Sequence, residues 1–206
     1  MIAAPESQFF EGNSTNTQVL RAAMVQFAAH GYQRTSMENI AREALVSRPT
    51  LYSYFKNKQA ILRAVSQGIH DSVLENIETA LRSEQDLESR LLLAFESWSA
   101  PFQGILFGSP HGAELIGVGS SLAADISIDA REKFAALLGK ALKTAMRDGL
   151  IDLKRTSQTS KSAAEFLILC LNGLSSDETD AKSFRLRLKT LISLFLTANS
   201  LQTNKR

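Results

Sequence analysis

The chain has one cysteine in 206 residues, Cys170, set inside the apolar run FLILCL. That excludes a disulfide framework and fits a reducing compartment. Four prolines occur, at 5, 49, 101 and 110, and no period-2 alternation marks a strand. Helical periodicity therefore organises the chain. No apolar run reaches the length that crosses a bilayer, and the opening MIAAPESQFFEGNS lacks the basic start and apolar middle of a signal peptide. The expectation is a cytoplasmic protein with no membrane partner. A glycine-rich phosphate loop and a nucleophile–base–orienter set are both missing, so an enzyme is not expected, nor is a cofactor or a bound metal.

What is present is ordinary for a folded soluble protein: 44% hydrophobic and 21% charged residues, which argues against wholesale disorder. The net charge of +2 becomes informative once divided. From Ser14 to Ala64 seven basic residues face two acidic ones, giving +5, and the remainder carries −3. That asymmetry fits either scattered surface charge or a basic head that meets a polyanion.

The first thirteen residues read as a flexible tail. A helix follows over 15–30 with Gly31 as its stop, and Thr35 and Glu38 have the spacing of a capping box for a short second helix. Ser47 can cap a third, with Pro49 tolerated in its first turn and Leu51 and Phe55 facing inward. Asn57 caps a long helix over 57–81. Further helices are expected at roughly 86–99, 102–107, 110–120, 122–148, 158–174 and 179–199. Gly149 stops the longest of these, and GLSSDETD links the last two. The fold class is all-α, with about nine helices.

Two short helices joined by LVS and leaning on a preceding helix make a helix-turn-helix head. The features AA…F…GY…TSM…IA…A and then VS.PTLY.YF.NK, within QVLRAAMVQFAAHGYQRTSMENIAREALVSRPTLYSYFKNKQAIL, resemble the amino-terminal domain of TetR-family transcriptional regulators. The resemblance covers about fifty residues in one register. It implies a three-helix DNA-binding domain over 14–62 and a larger helical effector-binding and dimerisation domain over 63–206. It also implies a ligand-responsive homodimer, most often a repressor, on a palindromic or pseudo-palindromic double-stranded operator. One position departs from the family pattern: Leu45 stands in the turn where glycine is common. If the turn keeps a positive φ, leucine there costs on the order of 1 kcal/mol.

In that reading the helix opening at Ser47 lies in the major groove, with Arg48, Pro49, Thr50 and Ser53 leading. Arg48 is the candidate for guanine, since a guanidinium bonds O6 and N7 together. Pro49 and Thr50 suit a thymine methyl. Tyr52 and Tyr54 can reach phosphates, although Tyr52 can also pack inward. Thr35 and Ser36 bring a second helix start to the backbone, and Lys58, helped by Lys56, suits a phosphate at the start of the long helix.

Past residue 68 no comparable signature appears. The last two helices have wide apolar faces, including Phe166, Cys170, Leu174, Leu188, Ile192 and Phe195, which belong either deep in a core or in a four-helix interface with a second copy. An effector pocket for a small apolar or aromatic molecule is expected around Phe95, Trp98, Phe102, Phe107, His111 and Glu114, where glycines and prolines interrupt helices. Two alternatives stay open: a helical binding protein or enzyme using His111, Glu114 or His70, and a DNA binder without an effector. His70, beside Asp71, reads as a surface or interdomain hydrogen-bonding residue.

Overall fold

The computed structural model describes residues 9–10, 12–175 and 180–201. Among these there are nine α-helices, one 3-10 turn and no strand. The helices are α1 Thr15–His30, α2 Met37–Glu43, α3 Arg48–Tyr54, α4 Lys58–Arg82 and α5 Leu87–Gly108. They continue with α6 Gly112–Leu122, α7 Ala124–Arg147, α8 Ser160–Ser175 and α9 Ala181–Ala198. Among the described residues no helix is long and apolar enough to cross a membrane.

Punctuation follows local chemistry at most ends. Ser14 accepts the Thr17 N–H at 3.1 Å, and α1 ends at Gly31, whose φ of 80° a side chain would resist. Asn57 caps α4 through the Ala60 N–H at 2.8 Å, and Gly149 follows α7 with φ 69°. Two expectations are corrected. The capping box of α2 is Ser36 with Asn39, not Thr35 with Glu38, because Thr35 turns inward and leaves the cap to its neighbour. The expected break at Pro101 is missing, and α5 runs through it. A proline inside a helix removes one backbone hydrogen bond and costs about 3 kcal/mol. Burial along the same stretch, at Ala94, Phe95, Ser99 and Pro101 itself, opposes that cost.

The chain groups into two compact units, one running to Val73 and taking in Ser99–Ala130, the other made of Leu74–Trp98 and the residues from Arg131 onward. This grouping differs from a division at residue 62. In the first unit α1 packs on α2, α2 on α3, and α1 on α6. Phe10 belongs to it: the ring is 6% exposed and lies against Gly68, where an added Cβ would collide with it. The tail expectation therefore fails at Phe10, while residues 1–8 and 11 lie outside the described residues. The second unit is built on Phe95, Phe134, Leu138, Leu142, Leu167 and Leu188, all fully buried. Phe134 sits edge-on to Phe95 at 5.3 Å and stacks with Trp98 at 5.1 Å. Each such side chain contributes roughly 1.5–3 kcal/mol through burial.

Candidate nucleic-acid interface

The third helix is short and depends on its ends. Ser47 accepts the Thr50 N–H at 3.1 Å, its hydroxyl lies 2.7 Å from that of Thr50, and Pro49 occupies the first turn. Leu51, fully buried, and Phe55, 7% exposed, hold the inner face. The outer face is thereby presented to solvent: Ser47, Arg48, Pro49, Ser53, Tyr52 at 47% and Tyr54 at 50% exposure. Tyr52 does not pack inward. Thr50 is half-buried, and Ser53 donates its hydroxyl to the Thr50 carbonyl. The Arg48 guanidinium lies 3.5 Å from Glu38 with both side chains mostly exposed, a pairing worth about 0–1 kcal/mol.

The turn before α3 keeps its left-handed residue. Leu45 has φ 55° and is 93% exposed. Around it the Val46 N–H bonds the Ala41 carbonyl at 3.0 Å and the Leu45 N–H bonds Arg42 at 3.2 Å. This is the double closure of a Schellman motif, whose geometry demands positive φ at the residue after the cap. The turn has not relaxed; leucine accepts the strain and exposes its side chain.

Lys58 is the main correction. Its ammonium donates to three backbone carbonyls, Tyr32 at 2.5 Å, Thr35 at 2.7 Å and Gln33 at 3.3 Å, and stands 4.3 Å above the Tyr32 ring. An ammonium has three protons, so the loop between α1 and α2 engages all of them. Desolvation lowers its pKa against the opposing pull of Glu114. A phosphate would have to break this clasp. Thr35 is likewise internal: it is 2% exposed and donates to the carbonyls of Gly31 at 2.7 Å and Gln26 at 3.1 Å. Ser36 and Lys56 remain at the surface.

Sequence reasoning had one usable signal for Lys58. A cation at a helix start opposes the dipole and must find oxygen elsewhere. It could not say whether carbonyls or phosphates supply it.

His111 and Glu114 extend the same clasp instead of lining a pocket. Glu114 accepts the Gln33 N–H at 3.0 Å and lies 3.4 Å from His111. Ser109, just before α6, donates to the Ala28 carbonyl at 2.7 Å. At Gly31 any Cβ would strike the Glu114 carboxylate and crowd the His111 ring. The start of α6 is thus tied to the end of α1 and the loop that follows it.

The first unit also contains a cavity of about 560 Å³. Met24, Phe27 and Ala28 of α1 face it, together with Leu62, Val65, Ser66, Ile69 and His70 of α4, residues 102–105 and Gly108 of α5, and part of α6. Of the six residues expected to bind an effector, Phe102 lines it. Phe95 and Trp98 belong to the core of the second unit, and the side chain of Phe107 lies outside the described residues. His70, read from the sequence as a surface or interdomain hydrogen-bonding residue, is instead 2% exposed and lines the cavity with Nε2 3.3 Å from the Ser127 hydroxyl. Nothing in its local sequence marked it as internal.

The residues expected at a dimer interface divide. Leu188, Ile192 and Phe195 are 0%, 1% and 7% exposed and belong to the second unit's own core. Phe166 is 47% exposed, and Cys170 and Leu174 are intermediate. Leu169, Leu186 and Leu194 are 67%, 67% and 65% exposed on α8 and α9, which pack together.

Residues 19–65 match the family described as bacterial regulatory proteins, tetR family. Over 81 residues the chain is 37% identical to the HTH-type transcriptional activator FasR of Mycolicibacterium smegmatis, covering 39% of this chain and 37% of that protein. It therefore spans well under half of that relative. The HTH-type transcriptional regulator SrpR of Pseudomonas putida is 24% identical over 89% of this chain and 86% of its own length. Among solved structures, SmeT, the repressor of the Stenotrophomonas maltophilia multidrug efflux pump SmeDEF, matches with a TM-score of 0.65 and 19% identity over 93% of each chain. SmeT has also been solved in complex with triclosan. The amino-terminal helix-turn-helix of this chain, within residues 19–65, belongs to the tetR family of bacterial regulatory proteins, and the all-helical fold that carries it is shared with SmeT.

Proposed function

We propose that the chain is a homodimeric transcriptional regulator, a repressor released from a palindromic or pseudo-palindromic operator by a small apolar or aromatic effector. The observation that carries this reading is the outer face of α3. A helix capped by Ser47 and anchored by Leu51 and Phe55 presents Arg48, Pro49, Tyr52, Ser53 and Tyr54 together. Arg48 reads a guanine, and the tyrosine hydroxyls, Lys56 and Ser36 meet phosphates. Lys58 acts at one remove, holding the loop before α2 in place.

A two-fold dimer places two such helices in successive major grooves, about 34 Å apart. The exposed Phe166, Leu169, Leu186 and Leu194 supply an apolar surface of the kind that a second copy covers. The effector occupies the cavity of the first unit. Its walls include α1, Ser109, which is bonded to Ala28, and α6, whose Glu114 is bonded to Gln33, so a ligand that fits one arrangement of the head better shifts the balance.

The test is selection of bound sequences from a random pool of duplexes. An inverted repeat is expected, with the preference for one guanine lost in Arg48→Ala. Recovery of unrelated sequences would remove the reading.

A further inference from the structure

The chemistry of the cavity narrows what it takes. None of the described side chains lining it carries a formal charge, and its polar groups are Ser66, His70, Gln103, Ser109, Ser120 and Ser127. A charged ligand head would enter without a counter-charge, at a desolvation cost of several kcal/mol. His70 and Ser127 stand together at 3.3 Å, and the Phe102 ring lies 5.5 Å from the imidazole, forming an aromatic wall beside a polar pair. Burial pushes His70 down from its ordinary value, against the pull of Asp71 beside it on α4, and so favours the neutral imidazole. The Ser127 hydroxyl donates to the Ala123 carbonyl at 3.4 Å. A ligand hydroxyl set between His70 and Ser127 can therefore accept from a neutral imidazole's Nε2–H and donate to the Ser127 oxygen. A volume of about 560 Å³ suits a small organic molecule.

We propose that this cavity binds a phenol, with the aromatic ring against Phe102 and the single hydroxyl inserted into the His70–Ser127 pair. The assignment rests on the reading of this cavity as the effector site. A hydroxyl both donates and accepts and can join such a pair without burying charge. An ether only accepts, and a hydrocarbon does neither.

Calorimetry on the full chain at neutral pH would compare 4-propylphenol, 4-propylanisole and propylbenzene. The phenol is expected to bind about ten-fold tighter than the other two, the margin of one well-made hydrogen bond. His70→Phe should bring the phenol down to the level of propylbenzene. Ser127→Ala, a small truncation, should reduce the preference in the same direction and serves if the histidine variant does not fold. At Gly104 an added Cβ meets nothing within 4 Å, so Gly104→Leu can occupy the cavity and should weaken all three probes.

Equal affinity for the three probes, or a preference that survives both His70→Phe and Ser127→Ala, overturns the phenol assignment and leaves the cavity reading standing. Affinities unchanged in Gly104→Leu, or no binding of any probe to the wild-type chain, overturn both.

Discussion

Arg48 and Lys58 stand ten residues apart in one motif, both basic, both at the start of a helix, and the fold uses them in opposite ways. Arg48 points outward with one weak partner, Glu38, at 3.5 Å. Lys58 turns inward, where three backbone carbonyls and the Tyr32 ring surround its ammonium. Charge and position alone do not distinguish a side chain that reads a partner from one that holds the reader in shape. What distinguishes them is where the protons of the cation go. Arg48 keeps its guanidinium at the surface beside one weak partner, and Lys58 has committed its protons.

The comparison breaks most visibly through stability. Leu51→Ala empties the anchor beneath the outer face of α3 and should cost about 3 kcal/mol in denaturant unfolding. Lys58→Met removes the clasp while keeping much of the stem, leaving three carbonyls short of a donor, and should cost about 2 kcal/mol. Leu45→Gly runs the other way. It relieves a φ of 55° at a side chain that packs on nothing, and should stabilise by about 0.5–1 kcal/mol. Arg48→Ala should change unfolding by less than about 0.5 kcal/mol, since its pairing with Glu38 is exposed.

A smaller effect concerns acid. Asp125 receives both arms of Arg63, at 2.7 and 2.6 Å, and its carboxyl is held down to about 2 from an ordinary 3.8. A carboxyl whose value is lowered by folding stabilises the fold above its ordinary value. That contribution fades as pH falls from 3.8 through about 2. Asp125→Asn should flatten this part of an acid-unfolding curve.

How much the sequence disclosed depends on the range of the interactions. The caps at Ser47 and Asn57, the stop at Gly31, the inward Leu51 and Phe55, and the strained Leu45 involve partners within a few residues. Local spacing is enough to read them. The partners of Lys58 lie 23 to 26 residues away, and Glu114 meets Gln33 across 81. No spacing rule encodes a carbonyl's direction at that distance.

The cavity shows the same limit. Its lining runs from Met24 to Ser127. Phe102 was legible as an aromatic in an interrupted stretch, whereas His70 read as surface or interdomain, because a histidine's burial leaves no local mark. At α8 and α9 the apolar pattern was legible, but both faces of each helix are apolar. Only packing shows that Leu188 and Ile192 lie inside and that Leu169, Leu186 and Leu194 lie outside.

The most direct test of the account measures duplex binding by Arg48→Ala and the wild type at one salt concentration, on the selected inverted repeat and on a scrambled duplex. The account predicts that the wild type prefers its repeat by about a thousand-fold or more, and that each Arg48→Ala protomer loses about 1–3 kcal/mol of that preference while its unfolding midpoint stays put. Full discrimination retained by Arg48→Ala, or a wild type that binds both duplexes equally, would contradict it.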